Sequence, residues 1–199
     1  MKELTLKEIE KLLGYKVKVV AEKPKKILKD IPVGEIAAFG DLEFIVLDQL
    51  GDCTYLLLKD FWKIDIFDGT SNNYAESKIR KDLNGEFYNK LESLVGWKNI
   101  IEHGVDLTTD DGRKDYGKVI DMVSLLTCDM YRKYVDVIDR YRITSNWTWL
   151  ATAYSTKSNG HSSNVRCVDN FGTLLNNYCS YLLNGVRPFC IFKSDIFVS

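Results

Sequence analysis

The apolar positions change period several times along the chain, and each period predicts a different element. Leu6, Ile9 and Leu13 recur at helical spacing behind Thr5, with Glu8 placed to complete a capping box and Gly14 to stop the helix. Tyr15-Lys16-Val17-Lys18-Val19-Val20 then alternates, the pattern of a half-buried strand. Over residues 21–30 the pattern is lost, and Lys23, Pro24, Lys25, Lys26 and Lys29 read as a solvated linker. The chain thus divides into a helix–strand module (1–20), a linker (21–30) and a main domain (31–199).

Within the main domain, apolar runs at 42–49 and 53–59 flank Leu50-Gly51-Asp52 and predict a β-hairpin, which 60–67 extends as a third strand. Asp68-Gly69-Thr70-Ser71-Asn72-Asn73 is turn material, and Ser71 or Asn73 can cap the helix after it. Ile79, Leu83, Phe87 and Leu91 step by four and predict a helix with one buried stripe, broken or kinked at Asn84-Gly85. After a loop at Thr108-Thr109-Asp110-Asp111-Gly112, residues 119–126 read as a strand. Thr127 or Asp129 then caps a second helix, with Met130, Tyr134 and Val137 on its apolar face and Asp129 paired with Lys133 on its wet side.

The last apolar run, 186–192, contains Arg187 beside Pro188. A proline lacks the N–H a ladder needs, so the strand enters its sheet near Pro188. A buried arginine needs carbonyl or carboxylate partners. Arg187 is therefore expected to be a structural anchor, mostly buried, with at least two hydrogen bonds at the end of a sheet.

Composition narrows the picture. The chain has 199 residues, 45% hydrophobic and 28% charged, which suits one globular core. With 27 basic and 28 acidic residues it lacks the basic excess of a nucleic-acid binder. The Lys23–Lys29 linker is the one stretch suited to a phosphate backbone. The opening residues carry no signal-peptide pattern, and no apolar run is long enough to cross a bilayer, so a cytoplasmic protein without a membrane partner is expected. Five cysteines without metal or disulfide spacing read as reduced core residues.

Residues 143–199 hold only six charged side chains but seven asparagines, together with many Ser, Tyr and Trp. Rigid aromatics mixed with Asn, Ser and Gly make recognition loops, although β-turns favour Asn, Ser and Gly too. The candidate partner-binding residues are Trp147, Tyr154, Asn159, His161, Asn164, Asn170, Asn176, Tyr178 and Tyr181. Catalytic chemistry is sparse. His103, at an expected turn, and His161, in a polar loop, could act as an acid–base pair on RNA or a small molecule. No phosphate-loop, zinc-protease or nucleophile-elbow motif accompanies them. Asp110, Asp111 and Asp115 around Gly112 could offer oxygens to Ca²⁺, without the EF-hand spacing. No other cofactor is expected, and the chain reads as a binder rather than an enzyme.

Several stretches resemble a widespread domain family of bacterial and phage proteins related to the C-type-lectin-like fold. They are Gly40-Asp41-Leu42-Glu43-Phe44-Ile45-Val46-Leu47, Ser71-Asn72-Asn73-Tyr74-Ala75-Glu76-Ser77-Lys78-Ile79-Arg80, Val123-Ser124-Leu125-Leu126-Thr127, Trp149-Leu150-Ala151-Thr152 and Gly185-Val186-Arg187-Pro188-Phe189. The resemblance implies an α+β, C-type-lectin-like fold with two helices packed on antiparallel sheets. Formylglycine-generating enzymes and retroelement variable proteins share that fold, but the copper-binding cysteine pair of the former has no counterpart here. Ala151 stands where the family often has an arginine. The retroelement likeness would make residues 154–184 a paratope, and a carbohydrate-binding lectin-like role is an alternative. The opening Leu4 to Lys16 is similar to a leader module of small phage and prophage proteins. It implies a phage accessory protein that binds a protein of the bacterial host, the candidate partners including a defence system, as for anti-CRISPR-type inhibitors.

Overall fold

The computed structural model describes residues 4–16 and 26–198. Strands β1 (Lys26–Ile27), β2 (Ile36–Phe39), β3 (Leu42–Leu50), β4 (Cys53–Leu58) and β5 (Lys63–Ile64) precede the main helices. Next come β6 (Ile100–Ile101), β7 (His103–Asp106), β8 (Lys118–Asp121) and β9 (Val123–Ser124). The C-terminal part holds β10 (Thr148–Ala153), β11 (Asn164–Val168), β12 (Leu174–Tyr178), β13 (Gly185–Val186), β14 (Phe189–Lys193) and β15 (Phe197–Val198). The α-helices are α1 (Leu6–Leu13), α2 (Lys78–Asp82), α3 (Tyr88–Val95) and α4 (Cys128–Ile138).

The fold is α+β, centred on a six-stranded sheet, β2-β3-β4-β14-β6, in which β9 also pairs with β14. Both faces are buried, and the alternation of each strand shows how. Phe44, Val46, Leu56, Leu58, Cys190 and Phe192 point to one side, into a core they share with Ile79, Leu83, Phe87 and Leu91. Ile45, Leu47, Leu57, Phe189 and Ile191 point to the other, where Tyr131, Tyr134 and Ile138 of α4 cover them. Burial on both faces explains why these strands read as continuous apolar runs. A second sheet, β12-β11-β10-β13-β5, adds Trp149, Val165 and Cys167 to the first core.

The stripe at 79–91 forms as expected, but Asn84-Gly85 does not break it. A π turn over Leu83–Phe87 joins α2 to α3, so the helix runs on. The wider turn lets Asn84 Nδ2 donate to the Arg80 and Val123 carbonyls while its Oδ1 accepts from Met122 and Val123 N–H. One side chain thus ties the helix to Met122 and to the first residue of β9.

Five further expectations need correction. The linker ends early: β1 pairs with β15, and Leu28 is fully buried, because its apolar side chain enters the main core. Of 60–67 only Lys63–Ile64 is strand, and it joins the second sheet through β13, since the chain leaves β4 to wrap around Arg187. The run 119–126 is split between sheets, β8 pairing with β7 and β9 with β14. In α4, Tyr131 and Ile138 join Tyr134 on the buried face, whereas Met130 and Val137 are only half-buried. Asp129 pairs with Arg132, not Lys133, which reaches Asp48 on β3 instead. The helix α1 forms with Glu8 accepting from the Thr5 N–H, while the strand expected over 15–20 lies, from Val17, outside the described residues.

Arg187 sits where the chain passes from the second sheet (β13) to the first (β14). It is 5% exposed. Nε donates to the Leu58 carbonyl at 2.7 Å, and Nη2 to those of Lys59 at 2.8 Å and Tyr141 at 3.3 Å. Its partners are therefore carbonyls, and among the described residues no carboxylate lies within ion-pair distance. Burial pulls its pKa down to about 10, against the distant influence of Asp60. On either side, Leu58 N–H donates to the Pro188 carbonyl and Trp62 N–H to that of Val186.

Gly185, next in this crossing, has the Phe61 ring 2.2 Å from where a Cβ would stand. The near atoms include Cγ, at the fixed end of the side chain, at 2.5 Å. Gly185→Ala should cost about 1–3 kcal/mol by overpacking. Urea unfolding would measure it, and adding Phe61→Leu to the same chain should recover part of the loss.

Candidate partner-binding face

Two clusters carry most of the expected binding residues. The first lies on the loop between β10 and β11. Tyr154 packs its ring against His161, centroids 5.5 Å apart at 71°, and receives the Arg166 guanidinium at 5.0 Å. Arg166 is ion-paired with Asp110, whose other oxygen takes Arg132 at 2.8 Å. Burial would raise the Asp110 pKa, but Arg132 and Arg166 outweigh it and hold the carboxylate below its usual range.

A residue read only as turn material organises this loop. Asn72 is fully buried and donates Nδ2 to the carbonyls of Ser155 (2.9 Å), Asn164 (2.9 Å) and His161 (3.2 Å). Its N–H donates to Ser162, and its Oδ1 accepts the Tyr116 hydroxyl at 2.7 Å. The acidic loop holds the other side. Ser155 donates to Asp111 at 2.7 Å, while Thr156 and Ser158 donate to Asp115. Hydrogen bonds from Thr109 and Ser155 draw the Asp111 pKa down to about 2. The three carboxylates proposed for Ca²⁺ thus have separate partners, and among the described residues no group of three or more His, Cys, Asp or Glu is placed to hold a metal.

The second cluster follows β12, the edge strand of its sheet. Tyr178 (64% exposed) and Tyr181 are joined there by residues the composition did not single out: Phe171 (73%), Leu175, Leu182 (67%) and Leu183. Asn164 opposes Tyr178 across β11 and β12, which links the two clusters. Asn176 lies on the same edge and Asn159 on the first loop, both exposed. Two sites stand apart. Trp147 is half-buried against the core, its carbonyl taking the Gly185 N–H, and Asn170 is half-buried in the turn at the far end of the hairpin.

The ladder shows which backbone groups face outward. Cys179 N–H bonds to the Ser163 carbonyl and Asp169 N–H to that of Thr173. These bonds make Leu174↔Val168, Asn176↔Arg166 and Tyr178↔Asn164 the non-hydrogen-bonded pairs. The N–H and C=O of Leu174 and Asn176 therefore point away from β11, along the free edge. Those of Tyr178 are engaged locally, by Asn177 and Tyr181. No charged residue occurs from 170 to 186. Exposed edges usually carry charges that repel other strands, and this one does not.

The histidines are not brought together. His103 lies in β7, not at a turn. Its Nε2 shares a hydrogen bond with Ser124 at 2.9 Å, and its ring meets Phe189 edge-on at 5.1 Å. Its Nδ1 is buried without a well-formed hydrogen bond. His161 keeps its exposed place beside Tyr154. In the lysine-rich stretch Lys26 and Lys29 are exposed, and Lys23 and Lys25 lie outside the described residues. No helix among the described residues is long and apolar enough to cross a membrane.

Searches against protein families, curated proteins and solved structures found no match to this chain.

The buried groups generate two predictions. Asn72→Leu leaves the Ser155 and His161 carbonyls without their donor and the Tyr116 hydroxyl without its acceptor, so it should cost about 2 kcal/mol. Hydrogen exchange should speed up across residues 155–164 before the six-stranded sheet is affected. For His103, burial holds the pKa below its usual value despite the Ile101 carbonyl and Asp121. The unfolded chain then takes up the proton first, so stability is full above pH ~6.5 and falls as pH drops below it. His103→Gln should flatten that decline in melting temperature between pH 7.5 and 5.5.

Proposed function

We propose that this chain is a protein-binding module that docks an extended strand of its partner along β12. The observation that carries the reading is the uncharged free edge at Leu174 and Asn176, bordered by Phe171, Leu175, Tyr178, Leu182 and Leu183. An added strand gains main-chain hydrogen bonds from such an edge, and the flanking side chains select its sequence. The anchored Tyr154–His161 loop, joined to the edge at Asn164, supplies further contact area. The C-type-lectin-like architecture is part of the same proposal: it draws on the sequence likeness and fits helices packed on antiparallel sheets. The phage-like opening segment directs the choice of partner to a protein of the bacterial host, a defence component first. An acid–base enzyme has less support, because His103 and His161 have different neighbours.

The test places a photo-crosslinking residue at Asn176 in the full chain, expressed in bacteria, and identifies the crosslinked protein. Asn176→Pro removes an outward N–H and leaves the β11 ladder intact, so the variant should keep its melting temperature. Its affinity for the identified partner should fall roughly tenfold or more. Unchanged affinity in Asn176→Pro and in Tyr178→Lys would overturn the edge as the docking site. Crosslinks only to a second copy would make it a self-association surface. If the partner is a defence component, expressing the chain should protect infecting phage, and Asn176→Pro should not.

A further inference from the structure

A cleft on a different part of the molecule ends on Arg187. Its walls include Leu57, Leu126, Ile138, Ile143 and Val168, and its space of about 30 Å³ suits a group of a few heavy atoms. Asp139, Arg142 and Asp169 also line it, and each already has partners. Asp139 and Arg142 pair at 2.5 Å, and Asp169 accepts the Phe171 and Thr173 N–H groups.

Arg187 differs. Nε and Nη2 are fixed by three backbone carbonyls, whereas Nη1 makes no hydrogen bond among the described residues and is not sealed off. Its cation has no carboxylate of the described residues within ion-pair distance. A buried charge without a counter-ion is costly, and a small anion would offset that cost. The Thr148 hydroxyl, also in the lining, has no hydrogen bond to the described residues and is a second free donor. The walls around these donors are aliphatic. An apolar cleft with a few convergent polar groups is the usual form of a small-molecule site.

We infer that this cleft binds a short-chain monocarboxylate, its carboxylate accepting from Arg187 Nη1 and the Thr148 hydroxyl and its alkyl group lying against Leu57, Leu126 and Val168. The anchoring role of Arg187 is kept, because the carbonyl bonds use the other side of the guanidinium. The site is independent of the β12 edge, so either assignment can fail alone.

The test titrates the full chain with sodium propionate, with propionamide and with sodium chloride at matched ionic strength, following the Arg187 Nε–H resonance. Propionate should give saturable shifts and a higher melting temperature, and the other two should give neither. Ile143→Trp enlarges a half-buried lining residue that takes no part in the carbonyl bonds, and should weaken propionate binding roughly tenfold or more. Thr148→Val should weaken it less. The inference is overturned if propionamide or chloride reproduces the propionate shifts, if no saturation is seen, or if Ile143→Trp binds as tightly as the parent. Arg187→Lys adds a charge-retaining comparison but is not required, since the other variants leave the anchor in place.

Discussion

The fork that Arg187 makes with the Leu58, Lys59 and Tyr141 carbonyls holds three parts of the molecule in one place. Leu58 ends β4, Lys59 begins the segment that crosses to the second sheet, and Tyr141 lies just beyond α4. The C-terminal run passes between sheets here, Val186 belonging to one and Phe189 to the other. A strand that changes sheets leaves backbone groups without ladder partners at the step, and each must be satisfied if buried. The guanidinium does this for three carbonyls at once, and its planar geometry fixes their relative positions. A lysine, with one point of charge, would not impose the same angles.

Asn72 plays the corresponding role for the exposed side. A loop between strands is normally the most variable and mobile part of a fold. Here residues 155–164 are fixed from beneath by one amide and from the side by Asp111 and Asp115. The loop can therefore present Tyr154 and His161 in a set geometry, with little ordering left to occur on binding. The β12 hairpin is similarly braced at its turn, where the Tyr131 hydroxyl donates to the Gly172 carbonyl. Gly172 adopts φ +87°, which L side chains rarely take, and a Cβ there would press at 3.3 Å on the Arg142 and Asp139 side chains.

Much of the framework was legible in the sequence because burial imposes a period. The step of four from Ile79 to Leu91 has no other simple reading, and the hairpin at 42–59 is set by Gly51 between two apolar runs. Arg187 was legible as an anchor since a charge in such a run must find partners. Other features carry no local signature. Runs 60–67 and 119–126 are apolar enough to be strands, but nothing in them shows which sheet each residue joins. Asn72 looks like any turn asparagine until residues 83 or more positions away are brought to it. Exposure is hidden as well: nothing in the apolar character of Leu182 and Leu183 shows that both stay uncovered in the segment after β12.

The central place of β14 also bears on how the chain reaches its folded state. Phe189 pairs with Leu57, 132 positions earlier, and β14 is the strand that joins β4, β6 and β9 into one sheet. During synthesis the β3–β4 hairpin and helices α2, α3 and α4 leave the ribosome well before this strand exists. Their apolar faces must wait, flanking a gap that only the last-made part of the domain can close. Contacts of such long sequence separation slow folding and leave intermediates open to wrong pairings. Until β14 fills the position between β4 and β6, the backbone edges and apolar faces that border it stay open.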